Sequence, residues 1–293
     1  MAASADVPSV DIHQHLWPEG FIDALGRRTS PPRLRSSMLE LAEGTYRIDL
    51  ARHDVETRLA ELDRDGIDVA VLSLQTTLGL DALPSDERDE LTSLWESGAL
   101  EVVAASGGRF AALASGRVRP GCAGAVVPGN ALRDIDALSP LFADLAASGG
   151  FLFVHPSGVP PPPGAPEWWP AIVDYSTEMQ GAYFTWLSYA QDRWSSLKVV
   201  FAILGGGGPF QLERLASRGV DVRSVLHSNV FFETASHGRR ALELCIETFG
   251  VHQIVYGSDV PVVDPAPTLR AVSGFGPSVV QLITADNPSR LLP

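Results

Sequence analysis

Residues 151–156 read Phe151-Leu152-Phe153-Val154-His155-Pro156, four apolar side chains in succession followed by a histidine. Side chains alternate faces along a strand, so an unbroken apolar run has both faces covered, as parallel strands do between a core and a layer of helices. Seven more such runs stand at Ser9–His13, Asp68–Leu74, Phe110–Ala114, Gly124–Val127, Val199–Leu204, Val230–Glu233 and Ile254–Ser258. Glu101–Ala105 competes with Phe110–Ala114 for the third place. Amphipathic stretches separate the runs, with helices predicted over Val55–Asp65, Asp86–Ser97, Ala131–Ala147, Phe210–Ser217 and Arg239–Phe249. Eight strands alternating with helices define an α/β fold, a (β/α)8 TIM barrel, with residues 1–293 as one domain.

Two long segments interrupt the alternation. Residues 16–52 follow the first strand and carry Trp17, Pro31, Pro32 and several arginines. Residues 156–195 follow the fifth and hold Pro160–Pro163, Trp168, Trp169, Phe184, Trp186 and Trp194. Insertions of this length are usually functional or disordered, and both leave the strand ends where barrel enzymes build their sites. The aromatics of the second suggest a packed lid. Trp17, Trp168, Trp169, Phe184 and Trp186 are candidates to line an apolar substrate pocket, and lid core is the equal alternative for the last four.

The chain has 293 residues, 45% hydrophobic and 19% charged, which suits a globular protein and excludes a disordered one. Lys+Arg number 22 against 35 Asp+Glu, so a nucleic-acid-binding role is not expected. Cys122 and Cys245 form no CxxC pair and read as reduced thiols. The start, MAASADVPSV, lacks the basic and apolar regions of a signal peptide, and the apolar runs are too short to cross a membrane. A cytoplasmic protein acting on a small molecule, without membrane or nucleic-acid partners, is the expectation.

The first strand ends Asp11-Ile12-His13-Gln14-His15, which places His13 and His15 on one face. Two imidazoles on one face begin a zinc-type metal site, although any pair of satisfied histidines two residues apart would match. Position adds to the case. His155 ends the fifth run and Asp259 follows the eighth, Ile254-Val255-Tyr256-Gly257-Ser258. Four metal-competent groups thus fall at the ends of three barrel strands. A carboxylate there is costly to bury unless paired or coordinated.

The motifs DIHQH, FVHP and YGSDVP, with the closing Asp286-Asn287-Pro288-Ser289-Arg290-Leu291-Leu292, resemble the amidohydrolase-related group of the amidohydrolase superfamily over essentially the whole chain. The resemblance implies a mononuclear site, commonly Zn2+ with Mn2+ as the alternative. His13, His15, His155 and Asp259 would be its ligands, with Asp259 also handling the proton of metal-bound water. It leaves room for a homodimer. The group's sixth strand usually ends in an acid/base histidine; here Phe201-Ala202-Ile203-Leu204-Gly205 puts Ile203 in that place. Isoleucine cannot exchange a proton. His237, just past the seventh strand, is a substitute acid/base, or a helix-capping residue at the surface. Glu233 is a candidate to orient a ligand histidine. The remaining histidines, His53, His227 and His252, read as exposed or structural. Gly205–Gly208 lacks the sequence of a phosphate loop and reads as a tight turn approaching the pocket.

Metal-assisted hydrolysis of a lactone, amide or ester is the expected activity, with Asp259 taking the water proton and His237 protonating the leaving group. Non-oxidative decarboxylation of a small carboxylic acid is the alternative. A catalytically impaired binding protein on the same barrel is the reading from another class.

Overall fold

In the computed structural model, which describes residues 7–292, eight parallel strands form the barrel: β1 (Val10–Gln14), β5 (Val69–Leu72), β6 (Phe110–Ser115), β7 (Gly124–Pro128), β8 (Phe151–His155), β9 (Lys198–Phe201), β10 (Val230–Glu233) and β11 (Ile254–Val255). Each hydrogen-bonds to the next in that order. The ring closes through Ile12 N–H to Tyr256 O (3.0 Å), Asp259 N–H to His13 O and His15 N–H to Val260 O (both 2.8 Å). Every residue of β1, β8 and β10 is buried, as strands covered on both faces must be. Gly124 is needed in β7: a Cβ there would stand 2.2 Å from Phe151 O of the neighbouring strand.

Local signals set the helix ends. The helix Val55–Asp65 starts where the Asp54 side chain accepts from Thr57 N–H and ends at Gly66 in the left-handed region. Asp134 caps the helix Ile135–Ser148 in the same way, so that helix begins later than the apolar periodicity predicts. The competition for the third strand is resolved by a 21-residue helix, Ser85–Ala105, that absorbs residues 101–105 and leaves Phe110–Ser115 as β6.

Residues 16–52 hold more order than an insertion loop. A helix, Glu19–Arg27, precedes a three-stranded antiparallel sheet of β2 (Arg33–Arg35), β3 (Met38–Glu40) and β4 (Thr45–Arg47). Leu39 pairs across to Tyr46, and a tight turn at 41–44 carries Glu43. The second segment divides. Residues 156–168 are loop, whereas Tyr175–Tyr189 is the helix of the fifth β/α unit. Its aromatics are core rather than lid: Trp186 packs edge-on to Phe142, and Tyr183 meets Phe201 and Phe232. Among the described residues no helix is long and apolar enough to cross a membrane.

Candidate metal centre and cavity

Strand alternation brings His13 and His15 to the barrel mouth, where β8 delivers His155 and the turn after β11 delivers Asp259. One ligand atom from each lies within 4.8 Å of all the others. His13 Nε2 stands 3.1 Å from His15 Nε2, and Asp259 Oδ1 stands 3.1 Å from His15 Nε2 and 3.5 Å from His13 Nε2.

The outer nitrogens explain this convergence. His13 Nδ1 faces Glu233 Oε2 at 3.0 Å, His15 Nδ1 faces Ser73 O at 2.8 Å, and His155 Nδ1 faces Pro156 O at 2.9 Å and Thr76 Oγ1 at 2.8 Å. The Thr76 hydroxyl donates to Pro156 O, so every partner is an acceptor; each Nδ1 carries the hydrogen and each Nε2 of a neutral ring presents a lone pair. With the three rings neutral, as ligation requires, three lone pairs and a carboxylate oxygen thus face one another with no donor between them. A divalent cation satisfies such a set, and it would also balance the carboxylates of the partly buried Asp259 and the fully buried Glu233. The residues present fit a metal.

Protonation follows the same logic. Burial lowers His15 and drives His155 well below its ordinary range, which keeps both neutral. Burial opposes charge on His13 too, but the carboxylates of Glu233 and Asp259 outweigh it and raise that imidazole to about 9. Asp259 is lowered despite burial, because His13 and His15 stabilise its charge.

Glu233 is fully buried. Its Oε2 accepts from His13 and from Ile203 N–H (3.1 Å), while Oε1 accepts from Ala235 N–H. Gly257 makes room for it, since a Cβ there would stand 2.3 Å from Glu233 Oε1. Asp259 sits at φ 60°, a conformation that ordinary side chains adopt rarely and that its N–H bond to His13 O helps to hold. Behind β1, Arg58 donates to His15 O (3.0 Å) and to Gln14 Oε1, and Gln14 donates to Asp11 (2.6 Å). Burial raises Asp11 to about 6, against hydrogen bonds that include those from Ser258 N–H and Gln14.

A cavity of about 410 Å³ opens onto the four groups. Of the five aromatics expected to line it, only Trp17 does. Trp186 is in the core and Phe184 packs against it; Trp168 is 56% exposed, stacked on Trp169, whose indole N–H donates to Asp174. His237 is not in the lining either: its Nδ1 turns to Ala235 O, 2.7 Å away in its own loop. Ile203 does line the cavity, at the start of a left-handed turn over Ile203–Gly207 whose Gly206 lies against the Tyr175–Tyr189 helix.

Several lining residues have no mark in the sequence. Glu43, Tyr46 and Arg47 come from the small sheet, Arg52 and His53 from the turn that follows it, and Tyr175 from the second segment. His53 is buried, stacked on Trp17 at 4.6 Å, and accepts from Trp17 N–H at 3.0 Å. Burial lowers it to about 3, so it is neutral and keeps Nε2–H as a donor. Far from any strand end, it carries no mark of a site residue in the sequence, where it reads as exposed or structural. A larger, more open groove of about 990 Å³ shares Trp17 and His53 but contains none of the four metal-competent groups.

Fold and site together define a metal-binding (β/α)8 barrel. The chain belongs to the Amidohydrolase family, which it matches over residues 10–293. It is 25% identical over 283 residues to 2-amino-3-carboxymuconate-6-semialdehyde decarboxylase of Dictyostelium discoideum, covering 84% of this chain and 78% of that protein. Among solved structures it resembles the IDCase of Metarhizium anisopliae (TM-score 0.81, 20% identity, 97% and 96% covered). It also resembles 5-carboxyvanillate decarboxylase from Novosphingobium aromaticivorans, complexed with manganese and 4-hydroxy-3-methoxy-5-nitrobenzoic acid (TM-score 0.74, 18% identity, 97% and 96% covered). The expectation of a hydrolase is corrected by the curated relative, which is a decarboxylase. Zinc, with manganese as the alternative, was expected from the histidine ligands and the family resemblance, but this ligand set suits several divalent ions; the metal in the carboxyvanillate enzyme is manganese.

Proposed function

We propose that this chain is a metal-dependent non-oxidative decarboxylase of a small unsaturated or aromatic carboxylic acid, with His13, His15, His155 and Asp259 holding one Mn2+. The observation that carries the reading, beside the decarboxylase relatives, is the cavity's charge arrangement. Its metal-ligand set shares one space with Arg47, an exposed residue whose guanidinium has no hydrogen bond or ion pair among the described residues. A guanidinium without a protein partner is suited to bidentate capture of a carboxylate. Arg52, by contrast, is already engaged by Glu61 and by Pro261 O.

When bound, the cation supplies a positive centre that orients the substrate and stabilises charge developing beside the scissile bond. The chain's own residues do the rest. Arg47 positions a carboxylate, and Leu39, Leu41, Ile203 and Val262 present apolar wall that limits its hydration. Ile203 suits this chemistry as a non-polar contact, and the proton that replaces CO2 on carbon comes from elsewhere. The stacked Trp17 and His53 rings offer a flat surface for a conjugated substrate, with the His53 Nε2–H as a hydrogen-bond donor.

The test is release of labelled CO2 from a panel of carboxyl-labelled hydroxybenzoates and muconate-type acids by the Mn2+-loaded protein. Turnover that disappears in Asp259→Asn is the expected result. No release from any member by protein carrying one equivalent of metal would overturn the proposal.

A further inference from the structure

Non-oxidative decarboxylation leaves an electron pair on carbon, which must receive a proton. The sixth-strand position offers only Ile203, and His237 lies outside the cavity lining. Metal ligands apart, the cavity holds one buried carboxyl group, Glu43. It belongs to the turn between β3 and β4 and meets Tyr175, the first residue of the helix in the second segment; the two oxygens are 2.5 Å apart. Tyr46 contributes a second phenol beside the same carboxyl. The two insertions therefore join over the metal centre through a tyrosine–carboxyl contact.

We infer that Tyr175 is the catalytic proton donor to carbon and that Glu43 is the positioning residue that resupplies it. The inference rests on the decarboxylase reading. Among the described residues Glu43 has no ion-pair partner, and its Oε2 is buried without any hydrogen bond. An anion with an unsatisfied buried oxygen is unfavourable, and the neutral acid is not. Burial accordingly raises the Glu43 carboxyl, the nearby Asp174 adds to the rise, and the hydrogen bonds from Tyr175 and Tyr46 only partly oppose it. Tyr175 is raised by burial and by Glu43, so tyrosinate does not accumulate and the phenol passes a proton on only as it receives another. A hydroxyl rotates to suit its partners, so Glu43 O–H can donate to Tyr175 Oη while Tyr175 O–H turns into the cavity.

The step balances. The C–COO⁻ bond breaks, CO2 leaves, and the electron pair remains on carbon. Carbon takes the Tyr175 proton, Tyr175 takes the Glu43 proton, and solvent water reprotonates the Glu43 carboxylate. No oxidant or reductant is involved. The charged and titratable groups around the pair are Tyr46 and Arg47 on its own hairpin, Asp49 beyond it, Glu167 and Asp174 on the second segment, and Asp259 with the histidines on the barrel.

The experiment compares Mn2+-loaded wild type, Tyr175→Phe, Glu43→Gln and Glu43→Asp. It measures CO2 release, metal content, and exchange of the product's ring or vinyl C–H with D2O, which is the reverse of proton delivery. Tyr175→Phe and Glu43→Gln are expected to lower kcat and exchange about 10²-fold or more, with metal stoichiometry unchanged. Glu43→Asp, which keeps an acid, should recover part of both. Because the acid form is the active one, wild-type kcat falls as pH rises past the Glu43 pKa, and Glu43→Gln loses that alkaline limb. Wild-type turnover with kcat and exchange held within about 3-fold in both variants would overturn the relay and leave the decarboxylase reading standing. Lost turnover with full C–H exchange would also overturn it, since the pair would then be only a latch between the insertions. No wild-type turnover would remove both readings.

Discussion

Glu233→Gln tests whether the buried carboxylate holds His13 in its ligating form. The change keeps the side chain's size and removes one charge. At present Oε2 accepts from His13 Nδ1–H and Ile203 N–H, and Oε1 accepts from Ala235 N–H. A glutamine can offer its oxygen to only one side. If the oxygen stays with His13 and Ile203, its NH2 confronts the Ala235 N–H, and a buried donor loses its partner at about 1–3 kcal/mol. If it turns to Ala235, the NH2 faces two donors and the His13 ring is released. Gly257 leaves no slack for either adjustment, since it packs directly under the carboxyl. Removing an outer partner of a ligand histidine typically weakens metal affinity about 10–100-fold, equivalent to about 1.4–2.7 kcal/mol. Calorimetric titration of metal-free protein with Mn2+ measures the affinity, and urea unfolding of the same metal-free samples measures the stability. A Kd within about 3-fold of wild type, with the fold intact, would refute the reasoning.

Other consequences can be measured directly. In the metal-free protein His13 is raised from 6.5 to about 9; its stabilising contribution is therefore present in full below about pH 6.5 and lost as pH rises to 9, as urea midpoints across that window will show. The same proton competes with the cation, so metal binding should tighten with pH over that window and release a proton, read by titration in buffers of different ionisation enthalpy. Gly206→Ala places a Cβ 2.2 Å from Ser176 O at φ 63°, and should destabilise by about 2–5 kcal/mol in urea unfolding, from left-handed strain and overpacking together. His237→Ala should leave kcat within about 2-fold, because that ring is tied to its own loop outside the cavity lining; a fall of 10² or more would return it to the reaction.

The reaction class shows where residue chemistry stops discriminating. A metal, an aspartate and an acid serve hydrolysis and decarboxylation alike, so DIHQH, FVHP and YGSD did not separate them. At the sixth-strand position Ile203 has no proton to give. The structure places a buried carboxyl elsewhere in the cavity, in the turn of a hairpin within the long segment 16–52. Glu43 and Tyr175 are 132 residues apart and sit in no repeating pattern, so nothing local marks them as neighbours. The aromatic residues erred in the opposite direction. Trp186 and Phe184 belong to a helix facing the barrel, and their numbers suggested a lid where the packing makes a core.

The barrel was legible because its signal is local and repeated: eight apolar runs of one strand's length, each buried on both faces, admit few other arrangements. Asp54, Gly66 and Asp134 set helix ends through hydrogen bonds and backbone conformations spanning a few residues, which a sequence displays directly. The grouping of His13, His15, His155 and Asp259 followed from their positions at strand ends, because closing the barrel makes such ends converge. Tertiary structure alone decided what surrounds that group. Which acceptor turns each imidazole, which arginine stays unpaired and which phenol meets the buried carboxyl all depend on contacts between segments distant in sequence. Those contacts are fixed by packing and by the cost of burying charge, and neither leaves a periodic trace along the chain.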